Sequence, residues 1–238
     1  MGPATATGNL APAAQGPPER PTQQAILTYD GDLLRKRGQL RPREQGGIEG
    51  GVGMVAAGDY RFGADTGRLL IRTYRTGLGS RAGHDLTIEV TVWHGTAAVG
   101  ADAAASSVAL RIDADSFEIR EGRGGIKPFT NADRADIRKT IRGLLDTARY
   151  PSITFASSGL RGVQRDLSVE GGLTIRTATH PVLVRGSIDE SSGKPQLRAT
   201  AQVVQSEWGI KPYSAFLGAL KLRDAVDIDV EATLVPIG

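Results

Sequence analysis

From Tyr60 onward apolar and polar residues alternate with a period close to two, the pattern of strands buried on one face. In DLTIEVTVWH the pattern puts Leu86, Ile88, Val90 and Val92 on a dry face and Thr87, Glu89, Thr91 and Trp93 on a wet one. AVDIDVEATLV repeats this, with Val226, Ile228, Val230, Ala232 and Leu234 opposite Asp227, Asp229, Glu231 and Thr233. The same alternation runs through 69–73, 108–112, 153–155, 167–175, 182–188 and 197–203, so about eight strands with short turns are predicted. One stretch breaks the rhythm. In NADRADIRKTIRGLLDTARYP, Ile137, Ile141, Leu144 and Leu145 recur at helical spacing, behind Asn131 as N-cap and ahead of Pro151 as terminator. Strands, one helix, then more strands carry no βαβ alternation. The expectation is a mainly β fold, a closed antiparallel barrel with one amphipathic helix across an end.

Residues 1–58 differ in kind. They are rich in Pro, Gly, Ala and Gln and show no sustained apolar period, so they cannot bury enough surface to offset their ordering entropy. A low-complexity, disordered tail is expected there, with the barrel domain over 59–238. Within the tail, Ile26, Leu27, Leu33 and Leu34 mix with Arg35, Lys36, Arg37, Arg41 and Arg43; this basic stretch is read as solvated, with recruitment of a partner as the alternative. Met54 offers an internal start.

Composition narrows the chemistry. Without cysteine there is no disulfide framework, thiolate nucleophile or cysteine-ligated metal. A net charge of +3 is spread among interspersed charges of both signs, which favours solubility over nucleic-acid binding. Neither a secretory signal nor a membrane-spanning run is present, so a cytoplasmic location is expected. His84, His94 and His180 lie far apart without metal-site spacing, so no metal is expected. No serine sits in a G-x-S-x-G elbow, and GGVGMVAAG lacks the spacing of a dinucleotide loop. His84 and Asp85 are neighbours but point to opposite faces of a strand, so they make a poor acid–base pair. The helix cations Arg134, Arg138, Lys139 and Arg142 are read as a solvated face, with an anion site as the alternative.

The order of segments carries a resemblance. RADIRKTIRGLLDTARYPSITFASSGL, LSVEGGLTIRTATHPVLVRGSI and SEWGIKPYSAFLGALKLRDAVDIDVEATL resemble, in order and spacing, the helix–Tyr-Pro–strand passage, the middle strands and the closing strand of YceI-like proteins, over about residues 59–238. The resemblance implies a lipocalin-like barrel whose apolar interior holds a polyisoprenoid such as an isoprenoid quinone, with no chemical step, no cofactor, and scope for pairing as a homodimer. One departure stands out. Many members carry a His-Ser pair near the first strand, where this chain has Gly67 and Arg68.

The residues themselves point the same way. Interior positions are mainly Leu, Ile, Val and Ala, and aromatics are only 5% of the chain, which suits a slim aliphatic ligand. Candidate wall or mouth residues are Leu86, Ile88, Val90, Phe117, Ile153, Phe155, Leu173, Ile175, Trp208, Tyr213 and Phe216, and each of them serves equally well as ordinary core. Trp208 and Tyr213 carry polar handles suited to a wet rim, and His84 is the head-group candidate. The lead expectation is a non-catalytic lipid-binding protein. The alternative is a packed barrel acting as an interaction or stress-response module through its basic tail, and an enzyme using His84 ranks last.

Overall fold

The computed structural model describes residues 55–237. The readings of the tail up to residue 54, its basic stretch and Met54 lie outside these residues. In chain order the elements are β1 (Gly58–Gly63), β2 (Gly67–Thr73), β3 (Arg75–Thr76), β4 (Asp85–Val90), β5 (Trp93–Val99), β6 (Ser107–Asp113), β7 (Phe117–Arg123), α1 (Asn131–Leu145), β8 (Ser152–Val163), β9 (Asp166–Ile175), β10 (Ala178–Asp189), β11 (Gln196–Val204), β12 (Ser214–Ala215), β13 (Leu220–Leu222), β14 (Ala225–Thr233) and β15 (Val235–Pro236).

Twelve of the strands form one antiparallel sheet in the order β15-β1-β5-β6-β8-β9-β10-β11-β14-β2-β4-β7. The order resolves into a barrel once four bent strands are recognised. β1 runs through a corner at 64–66 into β2, β4 through 91–92 into β5, β6 through 114–116 into β7, and β14 through Leu234 into β15. The first half of each bent strand pairs with one half of its neighbour and the second half with the other: Phe62 faces Gly95 while Ile71 faces Ile88. Backbone bonds carry the ladder across the corners, from the Thr91 amide to Ser116 and from the Thr233 amide to Thr66. Counted as bent strands, the sheet has eight members, each bonded to the next, with the last (β14–β15) bonded back to the first (β1–β2). Corners of this kind let a twisted sheet close on itself.

The corner at 91–92 overturns part of the alternation in DLTIEVTVWH. Leu86, Ile88 and Val90 are buried as expected, but Val92 is 55% exposed and Trp93 is 4% exposed. The chain leaves the strand at Val90 and re-enters at Trp93, so the inside–outside phase is reset between them.

One flank of the barrel lacks a strand partner. β7 pairs only with β4, and α1 lies along its free side. The Arg134 guanidinium donates to the Ile119 and Arg120 carbonyls on that edge. Arg138 bonds Glu118 at 2.7 Å, and Arg142 bonds Asp115 at 2.9 Å. Three of the four helix cations therefore reach the sheet or its corner while Arg138 and Arg142 stay partly solvated, and Lys139 is exposed. The cap also differs from expectation. Thr130, not Asn131, is the N-cap, in a reciprocal capping box with Asp133. The helix stops at Leu145 because Asp146 adopts a left-handed conformation, before Pro151 is reached.

Candidate binding cavity

A cavity of about 1100 Å³ occupies the barrel, slightly above the usual range of about 300–1,000 Å³ for ligand sites. Its walls follow from register. Leu160, Val169, Val184, Ala201, Ile228, Ile71 and Ile88 stand each opposite the next on neighbouring strands, and all line the cavity. The result is a continuous aliphatic belt around the interior. Ile137, Ile141, Leu144 and Leu145 of α1 complete the wall beside β7, so the helix replaces the missing strand. The cavity runs lengthwise as well, because Leu86 and Val99 line it from opposite ends of one bent strand.

The sequence candidates divide. Leu86, Ile88, Phe117, Ile153, Phe155, Leu173, Ile175, Tyr213 and His84 all line the cavity. Val90 does not; it is packed solid at 1% exposure beside the corner. Trp208 is also outside the wall. It is buried, its indole N–H donates to the Leu173 carbonyl at 3.1 Å, its ring lies 5.1 Å from His180, and its own carbonyl accepts from Arg176 at 2.6 Å. It braces a strand end where a wet rim had been expected. Of Phe216 only the backbone is described, in the short turn Phe216–Gly218. The belt residues on β2, β10, β11 and β14 escaped the sequence reading because a period of two names the inward face of every strand without saying which inward residues meet a void.

Polar groups gather at the ends. At one end Ala82, Gly83, His84, Leu220 and Tyr213 border the cavity. The His84 Nε2–H donates to the Lys127 carbonyl at 3.0 Å, and its ring lies 5.1 Å from Phe129. Asp85 turns away: its carboxylate accepts the Arg75 amide at 2.8 Å and lies 3.8 Å from the Arg75 guanidinium. His84 and Asp85 thus form no acid–base pair. Asp133 also borders the cavity, and its carboxyl is held below the usual carboxylate range because the Thr130 hydroxyl and amide both donate to it. Along the wall, Thr73 is buried with its Oγ1 unpartnered. Among the described residues no three His, Cys, Asp or Glu side chains converge as a metal site, and no helix is long and apolar enough to cross a membrane.

Comparison with known proteins agrees with this architecture. A family model described as YceI-like domain matches residues 71–234. The chain belongs to the YceI-like family. Among solved structures, BcnA of Burkholderia cenocepacia is similar at a TM-score of 0.52 and 15% identity, covering 70% of this chain and 96% of that one. The YCEI protein of Campylobacter jejuni is similar at a TM-score of 0.47 and 12% identity, covering 63% of this chain and 84% of that one. The likeness to BcnA speaks for the fold alone. A search of curated proteins found no match. Against the YceI-like pattern, the departure at Gly67 and Arg68 has a structural account. A Cβ at Gly67 would run into the Glu231 carbonyl and the backbone of Ala232 across the corner, and Arg68 points outward, 3.7 Å from Glu231. The place where many members carry His-Ser therefore contributes no inward polar group here.

Proposed function

We propose that this YceI-like barrel is a non-catalytic carrier that sequesters an amphiphilic lipid with a long aliphatic tail, an isoprenoid quinone or related polyisoprenoid, in its interior. The observation that carries the reading is the belt of cross-strand aliphatic residues around a cavity of about 1100 Å³ that extends from Leu86 to Val99. A tail in such a bore gains about 25 cal/mol for each Å² of apolar surface removed from water, or about 0.8 kcal/mol per CH₂, with no specific polar contact required. Selectivity along the tail is accordingly loose, and the polar end of the ligand is read by groups at the ends of the cavity such as His84. His84 engages a backbone carbonyl and Asp85 engages Arg75, so the two form no acid–base pair, which supports a binding role.

The test is native mass spectrometry of the full chain purified without detergent, followed by organic extraction. A stoichiometric isoprenoid adduct, or uptake of an isoprenoid quinone offered to the protein, is expected. A clean unliganded mass that stays unchanged when quinone is offered would sink the carrier reading and favour an interaction module.

A further inference from the structure

The two ends of the barrel differ in chemistry. The loops at the His84 end, residues 77–84, 124–130 and 209–222, adjoin one another: the Gly79 amide donates to Ala219 at 2.9 Å, Leu222 pairs with Arg75, and His84 bonds Lys127. Their tips carry large apolar side chains in water. Leu78 and Leu217 are fully exposed at 102% and 109%, Ile126 is 78% exposed and Tyr213 is 45% exposed. Among them stand Arg81, Lys127, Lys211 and Lys221; residues 77–84, 124–130 and 209–222 themselves contain no Asp or Glu, with Asp85, Asp133, Glu207 and Asp224 flanking them. At the opposite end, loops 100–106 and 163–166 bring Asp102, Arg165 and Asp166, charges of both signs.

A fully exposed leucine gains nothing from water, and three large aliphatic residues at the tips of three adjoining loops form a patch suited to burial. The loop tips carry only cations, while the flanking Asp133 and Asp224 carboxylates are taken up by Thr130 and Ser206. Cationic tips select an anionic counterpart, and apolar tips beside them are the combination that inserts into the headgroup region of a bilayer. Ala82, Gly83, Leu220 and Leu222 on the inner sides of these loops line the cavity, so the same rim leads into the bore.

We propose that the His84 end is a docking surface for an anionic lipid bilayer, with Leu78, Ile126 and Leu217 entering the headgroup layer and Arg81, Lys127, Lys211 and Lys221 facing its phosphates. Docked this way, the mouth of the cavity opens onto the membrane, and a tail passes between bilayer and barrel without crossing water. The inference rests on the rim alone and stands whatever the cavity carries.

Flotation of the full chain with vesicles tests it. The chain is expected to float with phosphatidylcholine–phosphatidylglycerol vesicles, to remain behind with phosphatidylcholine alone, and to be released by high salt. The double variant L78D/L217D and the charge reversal K127E/K211E are each expected to lower the bound fraction by about tenfold or more, with circular dichroism and thermal unfolding unchanged because the altered side chains are exposed. Leu183→Asp, at an exposed position on β10 away from the rim, is expected to float as the unaltered chain does. Failure to float with either vesicle overturns the proposal. So does flotation that survives in L78D/L217D, which would assign binding to the basic tail, and so does a dimer in sedimentation velocity that L78D/L217D converts to monomer, which would assign the leucines to a second copy of the chain. None of these outcomes bears on whether the purified chain holds a lipid.

Discussion

Single side chains show where this fold is tightly specified. Gly67 sits where the bent strand β1–β2 turns its corner, and any Cβ there meets the backbone of β14. Gly67→Ala is expected to cost about 1–3 kcal/mol in chemical denaturation, because the neighbour that must move is main chain and not a flexible side-chain tip. Thr73 poses the opposite case. Its hydroxyl is buried without a partner, so Thr73→Val is expected to leave stability unchanged or raise it by about 1 kcal/mol, against the usual sign for a core substitution. At the helix start the capping box sets a pH dependence. The Asp133 carboxyl has a lowered pKa in the folded chain, so its contribution is fully present above the ordinary carboxylate value and is lost as pH falls through the lowered one. Titration of helix content by circular dichroism in acid should show this loss, and Asp133→Asn should remove it. Thr130→Ala, deleting the cap itself, is expected to cost about 1 kcal/mol. The sequence pattern places the helix cap one residue late, at Asn131. The choice of Thr130 depends on the extended backbone at that residue, which composition does not encode.

At the scale of elements, α1 is the informative case. Two kinds of contact hold it against β7: ion pairs at half-exposed side chains, and an apolar stripe of Ile137, Ile141, Leu144 and Leu145 facing the core. Partly solvated ion pairs contribute about 0–1 kcal/mol each, whereas placing a charge within the stripe exposes the carboxylate to an apolar wall. Arg142→Ala is therefore expected to shift the denaturation midpoint only slightly, and Ile141→Asp to lower it by several-fold more and to speed hydrogen exchange in β7. Equal effects would mean that polar clasps and not burial hold the helix. The helical spacing of the stripe was legible in the sequence. What it packs on was not, since β7 offers only Phe117 and Ile119 before a charged run and reads poorly as a strand.

For the molecule as a whole, the decisive quantity is the space left inside. Ala201 lies mid-belt between Val184 and Ile228. Ala201→Trp is expected to fill the bore and abolish lipid uptake in native mass spectrometry while the chain stays folded; uptake that persists would place the ligand outside the barrel. Taken by itself, the sequence determined that the described chain is mainly β with one helix, which face of most strands is dry, and through its segment order the family, because periodicity and turn chemistry are local properties written residue by residue. Only the tertiary structure decided that four strands bend and that their halves find different neighbours. It alone brought Leu160, Val169, Val184, Ala201, Ile228, Ile71 and Ile88 into one belt, excluded Val90 and Trp208 from it, and gathered Leu78, Ile126 and Leu217 at one rim. The physical reason is that register and closure are relations between distant segments. A side chain facing inward is core if its cross-strand neighbours fill the space before it and cavity wall if they do not, and no single strand carries that information.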